Sequence, residues 1–383
     1  MNNKLYILII LANLVLAAPD WDKVQEESVE LFQEYLRIDT SNPPGDVRQG
    51  VDWLSNQFEK NDIYYETFTV DEDPRRMHIL AVFPGTNTNL KSLLLLNHID
   101  VVPADYSSWS VDPFKAEIID DVIYGRGALD MKCLGIMQLM SLILLKREGW
   151  EPERTVKFLG VADEEILGEY GVQWMIENHW EKLDPEWVWD EGGIGSKDSF
   201  PGINAFAIAV AQKKSFWVEV EVEGKSGHGS RPFEGYPNQI LVNGLTEIVN
   251  WKTPIDVNPV IKEMFYRIGV ETGGFQGIIM KNIDNLVVKS LIGNSIASSS
   301  TSTNAMLRNT ISLTMINSGY KTNIIPENVS ATLDIRLLPH VSPEDFLIDL
   351  KDVVDDDRIN FIPKRTPINN YVSNWDTDFF KVL

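Results

Sequence analysis

Cysteine is all but missing. Cys133 is the only one in 383 residues, so no disulfide can form within the chain, and stability has to come from core packing or bound metal. It follows Lys132 inside the apolar run "CLGIMQLMSLILLKREGW" and reads as a small packed residue rather than a thiol catalyst. Positive charge is scarce too: 34 lysines and arginines stand against 56 acidic residues, a formal net charge of -22. That balance excludes nucleic acid as a partner, because its phosphates would be repelled, and it argues against docking on anionic lipid. Long hydrophobic runs are absent after the N-terminus, so stable membrane insertion is not expected. The start itself, "MNNKLYILIILANLVLAAPD", has one lysine, an apolar stretch from Leu5 to Leu16, and the small residues Ala17 and Ala18. This is the layout of a secretory signal, and its apolar part is short for a membrane span. Residues 1–18 are expected to be a cleaved signal peptide and the product to be secreted.

What is present divides into two kinds of strand. An opening amphipathic helix is predicted from Trp21, with Val24, Val29, Phe32 and Leu36 at helical spacing. Unbroken apolar runs follow: "HILAVF", "SLLLLN", "TVKFLGVA" and "EWVWD", several of them separated by helical stretches. Strands buried on both faces and alternating with helices predict an α/β layer with a mostly parallel sheet. From about residue 205 the pattern changes to alternation with period two, in "VEVEVE", "ISLTMI" and "VSATLDIRL", which predicts an antiparallel sheet with one wet face. The order strand, helix, strand, strand, helix, strand is that of a ferredoxin-like split βαβ. Residues 251 to about 310 are inserted between its first helix and second strand. The expected organisation is a catalytic domain at 19–204, an inserted ferredoxin-like domain at 205–364, and a return to the first domain at 365–383.

Chemistry-bearing groups stand at the ends of the buried runs. "SLLLLNHID" ends in His98 and Asp100, "TVKFLGVADEE" in Asp163, Glu164 and Glu165, and "EWVWDEGG" in Asp190 and Glu191, while "IYGRGALDMKC" places Asp130 before a long helix. Sites in open α/β sheets form beyond the carboxyl ends of the strands, so these clusters are expected to converge. Each has a bland alternative as a solvated loop residue or a helix cap. Together, however, uncompensated carboxylates would repel one another, and something positive must sit among them. Lys132, Arg126 or a divalent cation are the candidates. One imidazole with several carboxylates suits zinc, manganese or cobalt, and the histidine favours zinc. Asp100, two residues beyond His98, is placed to orient the ring through its second nitrogen.

In this order, "NHIDVVPA", "IYGRGALDMK", "ADEE", "DEGG", "EGKSGHGSRP" and "NIIPENVSATLDIRLLP" resemble the aminoacylase/carboxypeptidase family of co-catalytic zinc peptidases, from about residue 30 to the end. Within it they resemble most the secreted N-fatty-acyl-amino-acid synthase/hydrolase and carboxypeptidase S branch. The resemblance implies two zinc ions, with His98 on one, Asp130 bridging both, and Glu165 and Glu191 as further ligands. Asp190 is the alternative to Glu191. It implies Asp100 as support for His98, Glu164 as general base, His228 as oxyanion stabiliser from an inserted lid, and Asn323 and Arg336 as holders of the substrate carboxylate. The substrate would be an N-acyl amino acid or short peptide, and the lid would mediate a homodimer. Taken alone, Arg336 pairs equally well with Asp334 on the polar strand face.

The family pattern requires one more histidine ligand near the end of the catalytic domain. The five histidines are His78, His98, His179, His228 and His340, and none follows residue 340. The expectation is therefore a C-terminally incomplete version of the fold. Beside the amidohydrolase reading stand an incompetent copy serving at most as a binding module, and a strict carboxypeptidase.

Overall fold

A computed structural model describes residues 19–166, 168–200, 203–364 and 371–383. The candidate signal segment, 1–18, and the start of the 365–383 segment lie outside the described residues. No described helix is long and apolar enough to cross a membrane. The chain divides into two compact units, Met1–Glu191 and Gly192–Leu383.

The first unit runs α1 (Trp21–Leu36), α2 (Arg48–Lys60), β1 (Tyr64–Thr69), β2 (Met77–Phe83), β3 (Ser92–His98), β4 (Glu117–Ile119), β5 (Val122–Tyr124), α3 (Lys132–Arg147), β6 (Val156–Val161), α4 (Val172–Leu183) and β7 (Pro185–Trp189). Its main sheet has the order β1-β2-β6-β3-β7. β3 lies parallel to both β6 and β7, whereas β1–β2 and β2–β6 are antiparallel. The sheet is thus mixed: only its β6-β3-β7 half is parallel, because the short segment after β1 turns the chain straight back into β2 instead of crossing over through a helix.

Both faces are covered, which is why the strands read as unbroken apolar runs. Ile79, Ala81, Leu95 and Phe158 pack with Tyr35, Val51, Phe58, Leu139 and Ile143 from α1, α2 and α3. Leu80, Leu94, Leu159 and Val161 pack on the other face with Met175 and Leu183 of α4. Lys132 is fully buried at the start of α3, where its Nζ donates to the carbonyls of Tyr35 at 3.1 Å and Ile38 at 2.7 Å. It ties down the main chain at the last turn of α1 and just beyond it.

His78 on β2 is also buried, stacked on Trp174 at 5.3 Å, with Nδ1 accepting from the Ala162 N–H at 3.3 Å. Burial, helped by nearby His179, pushes its imidazole from 6.5 down to about 3. Between those values the unfolded chain takes up a proton that the folded chain refuses. The contribution of this residue is therefore complete above pH 6.5 and is lost as pH falls towards 3, by about 1.4 kcal/mol per pH unit. Denaturant titrations at neutral and at acid pH should show this slope. His78→Asn, which keeps an acceptor but does not titrate, should flatten it.

The second unit contains β8 (Ile194–Phe200), β9 (Ile203–Ala207), β10 (Lys214–Glu223), β11 (Gly227–His228), α5 (Pro237–Asn250), α6 (Pro259–Thr272), α7 (Gly274–Lys281), α8 (Leu286–Ala297), α9 (Thr301–Leu307), β12 (Thr310–Ser318), β13 (Ile324–Ile325), β14 (Asn328–Leu337), α10 (Pro343–Val354), β15 (Asn360–Pro363) and α11 (Asp378–Val382). Its main sheet is antiparallel in the order β12-β14-β10-β15. Alternate residues Val218, Val220, Val222, Ala331, Leu333 and Ile335 are buried against Ile240, Leu241 and Leu245 of α5 and Phe346 and Leu350 of α10. Ser342 caps α10 by accepting from the Asp345 N–H at 3.2 Å, with Pro343 at the first helical position. Helices α6 to α9 build a small core of their own around Ile261, Phe265, Ile283 and Leu307.

Candidate metal centre

Three parallel strands end side by side at one edge of the first sheet. The register sets His98 opposite Val161 and Leu95 opposite Trp189. Residues 98–100, 163–165 and 190–191 therefore leave the sheet as neighbours. Asp130 arrives from the segment before α3, through an Asp130–Met131 peptide that is cis.

His98, Asp130 and Glu191 offer ligand atoms that all lie within 4.8 Å of one another. His98 is buried, Glu191 half-buried and Asp130 exposed. The His98 ring is clamped at both nitrogens: Nδ1 donates to the main-chain carbonyl of Asp100 at 2.8 Å, and Nε2 meets Asp130 Oδ1 at 2.9 Å. Glu191 Oε1 and Glu164 Oε2 stand 3.8 and 3.9 Å from Nε2. Because a carbonyl oxygen only accepts, the proton of the neutral ring belongs on Nδ1. Nε2 carries the lone pair only in that neutral form; with no metal bound, the acids around it favour a second proton there, donated to Asp130 Oδ1.

The expected support of His98 by the Asp100 carboxylate takes a different form. Asp100 Oδ1 is 3.7 Å from Nδ1, and the carboxylate is instead occupied by the N–H groups of Glu164 and Glu165, each at 3.2 Å. It holds the neighbouring strand end, while its own main chain holds the ring. Glu165 Oε1 accepts from the Val102 N–H at 3.1 Å and stands outside the three-residue group. Asp190 Oδ1 accepts from the N–H of Glu191 at 2.8 Å, so of the two acids in "DEGG" it is Glu191 whose side chain joins His98 and Asp130.

The electrostatics are those of acids crowded around one imidazole. Burial alone would depress His98, but Asp130, Asp100 and Glu164 outweigh it and hold the ring up at about 9. Its hydrogen bond to Asp130 lowers that carboxyl in return. Desolvation and the neighbouring carboxylates, opposed by His98, push Glu191 up to about 7. Glu164 and Glu165 are raised as well, chiefly by desolvation. Of the candidate cations, Lys132 is spent on carbonyls at the end of α1, and Arg126 lies 5.2 Å over the Trp109 ring. Among the described residues, His98 is the one basic group within ion-pair distance of Asp130, Glu164 or Glu191. One imidazole nitrogen facing several carboxylates, where a divalent cation could take the place of the ring proton, is a donor set that fits such an ion.

Two polar residues behind this group gave little signal in the sequence. Asn42 and Arg76 are buried and contact the carboxylates of Asp100 and Asp163. An amide before two prolines in "SNPPG" and a basic residue at the mouth of a buried strand in "PRRMHILAVF" were the available hints.

In the second unit, β11 pairs with β13, and the Gly229 N–H donates to the Asn323 carbonyl at 2.8 Å, so His228 and Asn323 are neighbours. His228 Nδ1 accepts from Ser230 Oγ at 2.8 Å, an arrangement that leaves Nε2 as the free nitrogen. Arg336 forks onto Asp334 at 2.8 and 3.2 Å.

Residues 94–348 match peptidase family M20/M25/M40. Aminoacylase-1 of Sus scrofa is 29% identical over 324 residues, 84% of this chain and 68% of its own length. The N-fatty-acyl-amino acid synthase/hydrolase of Xenopus tropicalis is 33% identical over 291 residues, 74% of this chain and 55% of that protein. An M20 family metallo-carboxypeptidase from Sulfolobus solfataricus shares the fold, with a TM-score of 0.66 at 21% identity over 93% of this chain and 81% of that one. The match spans the strand end that carries His98, the segment with Asp130 and the acids beyond β6 and β7, and the chain belongs to peptidase family M20/M25/M40, a metal-dependent family of hydrolases acting on amide bonds.

Proposed function

We propose that the chain hydrolyses the amide bond of N-acyl amino acids or short peptides that carry a free carboxylate, using a pair of divalent ions, zinc in preference to manganese or cobalt. The observation that carries this reading is the convergence of ligand atoms of His98, Asp130 and Glu191 within 4.8 Å of one another. The names of the aminoacylase and the N-fatty-acyl-amino acid synthase/hydrolase support the substrate class. His98 Nε2, Asp130 and Glu191 would hold metal, and Glu165, whose carboxylate accepts from the Val102 N–H, is the further ligand that the resemblance implies. When bound, the ions supply Lewis acidity to the amide carbonyl and to the attacking water. Glu164, close to the group but not part of it, takes the water's proton and passes it to the departing amine. Its raised affinity for protons suits a group that must both accept and return one.

The test is metal analysis of the purified protein, followed by assays of a fatty-acyl amino acid beside a blocked dipeptide. Preference for the first supports the aminoacylase reading, and preference for the second a strict carboxypeptidase. A protein that retains no metal and cleaves neither substrate would be an incompetent copy. The resemblance implies that Arg336 and Asn323 would hold the substrate carboxylate. Arg336→Ala should then raise KM about 10- to 100-fold, the worth of one charge-assisted fork, with kcat little changed. An equal KM would return Arg336 to its pairing with Asp334. Export follows from the leader, and the N-terminus of the protein recovered from medium should begin just after Ala18.

A further inference from the structure

A buried polar network behind the strand ends takes no part in the proton transfers above. Asp100 and Asp163 are 0% and 2% exposed, surroundings in which an unpartnered carboxylate is costly. One buried guanidinium serves them from the side away from His98. Arg76 Nε donates to Asp163 Oδ1 at 3.1 Å, while Nη1 is spent on Asp73 and the Pro44 carbonyl. Asp100 is joined to this charge only through Asn42, 1% exposed, whose Nδ2 donates to Asp100 Oδ2 at 2.8 Å and to Asp163 Oδ1 at 3.2 Å. The Asn42 carbonyl oxygen faces Arg76 Nη2 at 3.4 Å. With carboxylates at one end of the amide and a guanidinium at the other, a flipped amide would set like against like.

The outer sides of the two carboxylates hold main chain. Asp100 accepts from the N–H groups of Glu164 and Glu165, and Asp163 Oδ2 accepts from the Tyr170 N–H at 3.2 Å. Asp163 itself has φ 71°, a left-handed conformation unfavourable for a residue with a side chain. The turn carrying the two glutamates thus hangs from two carboxylates, and Asn42 ties those carboxylates together.

We propose that Asn42, backed by Arg76, is a positioning residue: it fixes the Glu164–Glu165 main chain relative to His98. The proposal rests on the reading of His98, Asp130 and Glu191 as metal ligands. It is tested with wild type, Asn42→Ala, Asn42→Ser and His98→Ala, each freed of metal and titrated with Co2+ against a chelator. Visible absorption, melting temperature and steady-state kinetics on an N-acyl amino acid are recorded for each. Asn42→Ala is expected to weaken Co2+ binding about 10- to 100-fold, as loss of groups that orient ligands does elsewhere. It should also alter the Co2+ spectrum and lower kcat more than it changes KM. Asn42→Ser, whose hydroxyl can serve one carboxylate but not both, should fall between, and it decides alone if the alanine variant does not fold. A lower melting temperature with spectrum, affinity and kcat unchanged would make Asn42 a stability residue and overturn the proposal, while loss of Co2+ in His98→Ala would leave the metal reading standing. Wild-type Co2+ affinity in His98→Ala would overturn both.

Discussion

Glu164→Gln is expected to lower kcat for amide hydrolysis by about 10²- to 10⁴-fold, the range that a positioned general base contributes. The exchange keeps size and shape and removes only the ability to take a proton. The turn should survive it, because what binds the turn to Asp100 is the N–H of Glu164 and not its carboxylate. The side chain stands outside the group formed by His98, Asp130 and Glu191, so metal content should change little. Metal analysis and circular dichroism beside the kinetics separate loss of a base from loss of the site. Retained turnover in a folded, metal-replete variant would sink the assignment of the base.

His98→Ala should do more damage, because it removes the one neutral donor among the acids. Metal affinity is expected to fall by at least about 100-fold, beyond the usual effect of merely reorienting a ligand. Wild-type protein should gain thermal stability on adding zinc, since a ligand that binds only the folded chain stabilises it by mass action. The variant should show almost none of that gain. Melting curves with and without zinc, and zinc content after dialysis, provide the measurement. Equal zinc-dependent stabilisation of the two proteins would remove His98 from the metal site.

Much of this was legible before any coordinates. An apolar run buried on both faces has no reason to end in His98 and Asp100, or in Asp163, Glu164 and Glu165, unless those ends meet. The parallel register of β3 with β6 and β7 brings them together. The antiparallel entry of β1 and β2 was not legible, because strand direction depends on the path of the connection and not on the apolar pattern of the strand. Neither was the role of Lys132, which sequence proximity to Asp130 made a candidate counter-charge. Its side chain runs away from the acids to carbonyls 97 and 94 residues distant in sequence. Asn42 and Arg76 left only faint hints for the same reason. Their partners lie 58, 121 and 87 residues along the chain, and no local periodicity marks such contacts.

The pairing of β3 with β6 also bears on which insertions and deletions the chain tolerates. One extra residue within Ser92–Asn97 would carry His98 about 3.3 Å along the strand and turn its side chain to the opposite face of the sheet. Two extra residues would restore the face but overshoot the acids. The same additions in the stretch between β2 and β3 would leave both parity and reach intact. Length variation among descendants of this gene should therefore gather ahead of Ser92 and stay out of the strand.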